Sequence, residues 1–166
     1  MNKLIIIALV AIIGMGVAYA ISPYFTSSTV NETLPNSAIP LKMEDTTMKD
    51  ESMMKDVIIQ TYAGTFVGVD DGIHDAQGTV RTIPLNDGNN VLRLENFKAT
   101  NGPDLYVYLS TDTKASEFVS LGKLKANNGN QNYDIPENTD LQKYSKVLIW
   151  CKAFGVLFGN ADLSSQ

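Results

Sequence analysis

The chain has 166 residues, of which 44% are hydrophobic and 19% are charged. That length accommodates one packed domain with a leader or a tail, and it is too short for two independent cores. The formal net charge is −5, which argues against a nucleic-acid partner because phosphates are bound by clustered Lys and Arg side chains.

Residues 4–21 form an uninterrupted apolar run that follows Lys3, and no further Lys or Arg occurs before Lys42. As a helix this run would span roughly 27 Å, against a hydrocarbon core of about 30 Å. The positive-inside rule places the N-terminus in the cytoplasm. The sequence therefore predicts that residues 1–21 are a transmembrane anchor or a signal peptide, and that the rest of the chain works outside the cytoplasm.

The sequence is compatible both with a retained membrane anchor and with a signal peptide that is cleaved. The tripeptide 18–20, Ala-Tyr-Ala, fits the small-x-small pattern that signal peptidase recognises. Cleavage after Ala20 would give a secreted protein. The apolar and interfacial side chains that continue past this point, such as Tyr24 and Phe25, favour retention as a single-pass anchor in the cell membrane.

Residues 22–56 show no sustained periodicity and are rich in Ser, Thr, Asn and Pro, then in Met, Lys, Asp and Glu. Such a composition predicts a flexible, disordered stalk. Within it, Asn31-Glu32-Thr33 matches the acceptor pattern for N-glycosylation. Asn31 is therefore a candidate glycosylation site.

Residues 57–166 are predicted to form one all-β antiparallel domain, either a β-sandwich or a barrel-like module. Short β-branched and aromatic runs alternate with turn residues at intervals of roughly 8 to 12 residues. The predicted strands are 57–61, 64–69, 79–85, 90–97, 104–110, 118–125, 132–135, 147–152 and 156–159. The segments 86–89 and 127–130 predict hairpin turns, and one short helix is expected around 139–144.

The strand at 90–97 alternates most clearly. Leu92 and Leu94 share one face, and Arg93 and Glu95 share the other. Since successive side chains of a strand point to opposite faces, the sequence predicts that Arg93 and Glu95 are exposed to solvent.

His74 and Cys151 are each the only residue of their type. One chain of this kind cannot build a blue-copper centre, a structural zinc site or an attached c-type haem, and it cannot form an intramolecular disulfide. No nucleophile, base and orienting group can be named together, so independent enzymatic turnover is the less favoured class.

The segment 69–75 gathers Asp70, Asp71 and Asp75 around His74. Three carboxylates and an imidazole could bind a divalent cation through oxygen and nitrogen ligands. The alternative is a polar turn between two strands.

The turn that contains Gly102, Pro103 and Asp104 precedes a predicted central strand. Pro103 fixes φ at this point, which suits a structural turn. Asp104 is then either a hydrogen-bond anchor or a ligand.

Cys151 lies in the predicted strand 147–152, where alternation places it on one face with Val147 and Ile149. A free Cys on such a face is most often a small buried hydrophobe with little reactivity. The alternative is a redox-active or metal-ligating thiol at a strand end, where the charge of Lys152 would favour the thiolate. Cys151 is therefore the candidate redox residue.

Several short motifs occur in series between residues 63 and 163. They are Gly-Thr-Phe-Val-Gly at 64–68, His74 followed by Gly-Thr-Val at 78–80, Leu-Arg-Leu-Glu-Asn-Phe at 92–97, Gly-Pro-Asp-Leu-Tyr-Val-Tyr-Leu at 102–109, Leu-Gly-Lys-Leu at 121–124, Gln-Asn-Tyr at 131–133 with Ile-Pro at 135–136, Ile-Trp-Cys at 149–151, and Phe-Gly at 154–155 and 158–159. In this order they resemble the electron-transfer DM-thirteen domain family.

That resemblance implies an extracytoplasmic β-sandwich-like module, found in some larger proteins beside DOMON domains and b-type cytochromes. It also implies a redox role that rests partly on a Cys in a Trp-Cys pair, here Cys151. The electron partner would be another molecule, and the cofactor would be a metal ion or a group supplied by that partner. The competing hypothesis is a non-catalytic surface ligand-binding or adhesion module, in which loops such as 70–75 contact the ligand and Cys151 merely packs.

Overall fold

The computed structural model of the protein describes residues 3–21, 26–39 and 60–166. Within these residues there are one helix, α1 (Lys3–Ile21), and nine strands that follow it. They are β1 (Tyr62–Gly68), β2 (Ala76–Pro84), β3 (Asn90–Ala99), β4 (Leu105–Ser110), β5 (Phe118–Lys123), β6 (Asn128–Ile135), β7 (Lys146–Cys151), β8 (Val156–Asp162) and β9 (Ser164–Ser165). Residues 57–59 of the first predicted strand lie outside the described residues.

α1 is 19 residues long. Its described side chains, Lys3 and residues 5–16, are all exposed, and from residue 5 onward they are apolar or glycine. Over the part of the chain that the structure describes, no helix combines the length and the apolarity needed to cross a membrane.

The nine strands form one antiparallel sheet in the order β5-β4-β7-β8-β1-β2-β3-β6, with β9 added beside β1. The two terminal strands of this order, β5 and β6, are joined by a short connection, so the sheet curls into a nearly closed barrel. The predicted all-β antiparallel domain is thereby confirmed, in its barrel-like form.

The core fills the inside of this barrel with alternate side chains from most strands. Leu92, Leu94, Val107, Leu109 and Ile149 are among its fully buried members. Phe66 and Phe97 meet edge to face inside it, with ring centroids 5.4 Å apart, an arrangement that aromatic pairs prefer. The period-two pattern in the sequence is the cause of this inside-outside division.

Residues 26–39, which we call the strap, do not behave as a stalk. The backbone of the strap runs parallel to β6, where the N–H groups of Val30 and Glu32 donate to the carbonyls of Asn128 and Asn130 at 3.0 and 2.8 Å. Farther along, Ile39 N–H donates to the carbonyl of Pro84. The prediction of a flexible stalk is therefore wrong for residues 26–39, because these backbone hydrogen bonds extend the sheet; residues 22–25 and 40–56 lie outside the described residues.

The strap also explains why Arg93 is only 5% exposed, contrary to the sequence prediction. Its guanidinium donates to the strap carbonyls of Glu32 and Thr33, and to the side-chain oxygen of Asn132 at 2.7 Å. The outer face of β3 is thus covered at this point by a segment distant in sequence.

Two local predictions are wrong. Residues 128–130 belong to β6 rather than to a hairpin turn, and the β5–β6 connection is 124–127. Around 139–144 the chain makes a single turn instead of a helix, in which Asp140 accepts hydrogen bonds from the N–H groups of Gln142 and Lys143. The predicted turn at 86–89 is confirmed, with Gly88 at φ +86°.

Candidate functional site

Four connections meet at one end of the barrel, which we call the loop end: 69–75, 100–104, 124–127 and 152–155. They meet because the strands alternate in direction around the barrel and each of these segments joins an odd strand to the next even one. Every site residue predicted in the domain lies in one of these connections or, as Cys151 does, directly before one. The topology therefore brings residues as distant in the chain as Asp70 and Cys151 to the same end of the barrel.

Cys151 ends β7 and is 1% exposed. It belongs to the barrel core with Val147 and Ile149, as the alternation predicted, and its register neighbours are Leu105 in β4 and Val156 in β8. The thiol is therefore shielded from soluble reactants. Its redox role stays a prediction.

We expect the Cys151 thiol to resist labelling by Ellman's reagent in the native protein and to react fully once the protein is unfolded in urea. Replacing it by alanine should cost about 1 kcal/mol of stability, the price of deleting a group of roughly methyl size from a core. The absorbance of the released thiolate from the reagent would measure the labelling, and urea denaturation of Cys151→Ala would measure the loss of stability. Rapid labelling in the absence of urea would show that the thiol is accessible in the native state.

Asp71 and His74 form the closest polar pair of the loop end. Asp71 Oδ1 accepts hydrogen bonds from the backbone N–H groups of His74 and Ile73, at 2.7 and 2.9 Å, and its Oδ2 lies 2.5 Å from His74 Nδ1. The bonds from the His74 backbone and ring, then from Ile73, lower the pKa of Asp71 to about 2. The carboxylate therefore stays ionised and orients the imidazole through Nδ1.

The other two acidic residues of this segment have different surroundings. Asp75 Oδ2 accepts a hydrogen bond from Gln77 at 2.7 Å, while Asp70 lines an open depression of about 370 Å³ together with His74 and Asp75. Within the described residues, no group of three or more His, Cys, Asp or Glu side chains is arranged to hold a metal ion. Cation binding by this segment stays a prediction.

The imidazole of His74 connects this loop to the rest of the loop end. Its ring meets Phe158 of β8 edge to face, with centroids 4.5 Å apart. A Cβ on Gly102 would come within 2.8 Å of both Phe158 and Leu105, so only glycine lets the 100–104 connection pack this closely. Phe158 is thus the shared support of the His74 loop and the Gly102 turn.

Asp104, after Pro103, anchors the start of β4. Its backbone carbonyl accepts the N–H of Lys152 at 2.9 Å, and its carboxylate lies 3.4 Å from Lys123 Nζ. The Gly102-Pro103-Asp104 turn therefore joins the connections before β4 and after β7, beside the strand end that carries Cys151. This contact pattern fits the structural alternative for Asp104.

The outside of the barrel carries a feature that sequence reasoning did not assign: four ring side chains in one row on β4, β5 and β7. Tyr106 is the register partner of Trp150, its ring lies 6.0 Å from that of Tyr108, and Tyr108 stacks on Phe118 at 4.2 Å. We call Tyr106, Tyr108, Phe118 and Trp150 the aromatic row. The sequence of residues 105–109, Leu-Tyr-Val-Tyr-Leu, carries a signal for it, since aromatic side chains alternate with aliphatic ones and neither face is charged.

The aromatic row is partly shielded from water and lies beside charged groups. Burial raises the pKa of Tyr108, and the nearby Tyr106 and Asp104 add to this effect. Lys152 Nζ lies 5.2 Å from the centre of the Tyr106 ring, a cation–π distance. The row therefore begins at the loop end beside Cys151 and runs to Phe118 near the opposite end.

Asn31, the candidate glycosylation site, lies in the strap. It is exposed, yet its side-chain oxygen accepts the backbone N–H of Asn130 at 3.1 Å. The acceptor sequence is thus held against β6 in the folded protein, and its modification stays a prediction.

The barrel, with its buried thiol at the loop end and its external aromatic row, defines a single-domain β module that carries Cys, Tyr and Trp as its redox-capable side chains. The chain belongs to the Electron transfer DM13 family, whose model matches residues 65–163, more than half of the sequence. This confirms the resemblance predicted from the serial motifs. No curated protein and no solved structure matches the chain.

Proposed function

We propose that the protein is an electron-transfer module tethered to the outer face of a membrane. The observation that carries the redox part is the family match over residues 65–163, a range that contains Cys151 and the whole aromatic row. Electrons would come from and pass to a partner protein, which supplies any further cofactor.

The arrangement of side chains gives this role a physical basis. Cys, Tyr and Trp can each gain or lose a single electron. Tyr106 and Trp150 are register partners on adjacent strands, and Cys151 follows Trp150 directly in the chain, on the core-facing side of β7. Tyr108 continues the row toward Phe118. Closely spaced rings between the two ends of the barrel offer a route along the protein surface.

The tether is supported by the sequence of residues 4–21, an uninterrupted apolar run after Lys3. As a helix this run would be roughly 27 Å long, against a hydrocarbon core of about 30 Å. Its described side chains from residue 5 to 16 are exposed, and none of them is polar. With Lys3 on the cytoplasmic side the barrel would lie outside the cell; cleavage after Ala20 would release it.

Protein-film voltammetry of the purified full chain tests the redox role. We expect a reversible response that is lost or shifted in Cys151→Ala and slowed in Tyr106→Phe, because the first removes the thiol and the second removes a redox-capable phenol from the aromatic row while keeping its ring. Tyr62→Phe is the matched control, since Tyr62 lies in β1, outside that row.

Elemental analysis and a visible spectrum of the same preparation complete the test. A wild-type protein with no redox response, no bound metal and no chromophore would contradict the proposed role. That result would favour the alternative function, a ligand-binding or adhesion module in which Cys151 only packs in the core.

A further inference from the structure

The strap fixes where the chain leaves the barrel on its N-terminal side. Ser28 N–H donates to the side-chain oxygen of Asn127 at 2.6 Å, and the Ser28 carbonyl accepts the N–H of Asn128 at 3.1 Å. Thr26 and Ser28 line a depression together with the Gly102-Pro103 turn. The strap therefore begins at the loop end, and from there it runs to the opposite end, where Ser37 accepts a hydrogen bond from Asn86.

This starting point makes the tether short. Only residues 22–25 separate the end of α1 from Thr26, and five residue steps of extended chain reach at most about 17 Å. A free stalk of residues 22–56 would let the barrel stand far from the membrane in any orientation. With residues 26–39 bound to β6, the loop end is the part of the barrel that stays nearest the end of α1.

The loop end also presents the large apolar side chains that a bilayer surface would accept. Ile73, at the tip of the 69–75 connection, is 71% exposed, and Phe154, at the tip of the 152–155 connection, is 72% exposed. Val67, near the end of β1, is similarly open to solvent. Exposed apolar side chains grouped on loop tips mark an interaction surface.

The charges at the loop end indicate which type of lipid it would contact. Lys123 and Lys152 are exposed, but Asp70 and Asp71 lie beside Ile73, so strongly anionic lipid would be repelled as much as attracted. The apolar tips and the mixed charges fit a zwitterionic lipid surface.

We infer that the loop end faces the bilayer that holds α1, with Ile73 and Phe154 inserted at the level of the lipid headgroups. The inference rests on the proposed tether through α1. It places the Cys151 end of the barrel against the membrane and leaves the end near Phe118 open to partners from the aqueous side.

The test uses the full chain with the Cys151→Ala substitution, reconstituted in phosphatidylcholine vesicles. Single cysteines are introduced as Ile73→Cys or Phe154→Cys and labelled with an environment-sensitive fluorophore, and lipids with a spin label near the headgroup act as quenchers. Asp87→Cys, in the β2–β3 turn at the opposite end, is the matched control. We expect quenching at positions 73 and 154 several-fold above that at 87, and we expect it to fall when a 20-residue Gly-Ser linker is inserted before Thr26.

The outcomes distinguish an error in the inferred orientation of the barrel from an error in the proposed membrane tether. Co-flotation with the vesicles but equal quenching at all three positions would overturn the inference and leave the tether standing. The labels at 73 and 154 could instead be shielded from aqueous iodide without being quenched by the lipid spin label. A second copy of the protein would then cover the loop end, and the inference would be overturned. Failure to float would overturn both the tether and the inference.

Discussion

Replacing Glu95 by alanine is expected to lower the free energy of unfolding by about 3 kcal/mol, because it leaves a buried charge without its counter-charge. Glu95 Oε1 accepts hydrogen bonds from Arg93 Nε at 2.8 Å and from Arg81 at 2.9 Å. Without the carboxylate, the buried guanidinium of Arg93 and the partly exposed one of Arg81 would lie side by side with no counter-charge between them. Urea denaturation followed by circular dichroism measures the loss.

The control for this prediction is Glu117→Ala. Glu117 pairs with Lys143 on an exposed surface, where an ion pair contributes little, so its removal should change stability only slightly. Equal losses in the two variants would contradict the role assigned to burial.

The dependence on pH provides a second readout for Glu95. Burial opposes ionisation, but the bonds from Arg81 and Arg93 outweigh it and hold the pKa of Glu95 below its ordinary value of 4.5. The contribution of this carboxylate is therefore complete above pH 4.5 and is lost as the pH falls through its lowered pKa. The stability difference between wild type and Glu95→Ala should shrink over that acid range; a difference that stays constant would contradict the assignment.

The barrel could be predicted from sequence because its strands carry a local signal. Alternation at 90–97 and the turn residues around Gly88 indicate strand and hairpin without reference to the rest of the chain. The same logic placed Cys151 on the core face with Ile149. Where a strand buries one face, its period of two specifies which side chains are inside.

The strap could not be predicted in this way, since its contacts come from backbone groups and from partners distant in sequence. Glu32 illustrates the point: its carboxylate accepts hydrogen bonds from Lys125 Nζ at 2.8 Å and from the backbone N–H of Asn132 at 2.6 Å, residues about 100 positions away. The burial of Arg93 follows from the strap, so it was missed with it. The strap has no apolar periodicity, and its composition therefore predicted a disordered segment. A strand that adds to a sheet edge is held by backbone hydrogen bonds, so it does not need an apolar pattern.

The same limit applies to the candidate site. The serial motifs identified the family, and residue types singled out His74, Asp104 and Cys151, but no periodicity indicates that His74 packs on Phe158 or that Tyr108 stacks on Phe118. These contacts depend on how the sheet closes. Closure also decides that the strap covers the free edge of β6, an edge that would otherwise invite pairing with another chain.

Replacing Gly129 by alanine is expected to displace the strap and to cost about 3 kcal/mol, through a strained backbone and a steric overlap together. Gly129 has φ +100°, and a Cβ there would lie 2.0 Å from the backbone carbonyl oxygen of Val30. Hydrogen exchange is the direct measurement: the amides of Val30 and Glu32, which donate to β6, should lose their protection while the β3 amides keep theirs.

Gly122→Ala separates the two causes. Gly122 has a similar φ of +113°, but a Cβ there would meet nothing within 4 Å, so this variant carries only the backbone strain of about 1–2 kcal/mol. Strap amides that stay protected in Gly122→Ala and exchange rapidly in Gly129→Ala would locate the effect at the contact with Val30. Unchanged exchange in both variants would mean that the strap is held by the Glu32 and Arg93 contacts alone, and that its backbone pairing with β6 adds little. In the membrane-tethered arrangement that we propose, release of the strap should also free the loop end from its position next to the bilayer.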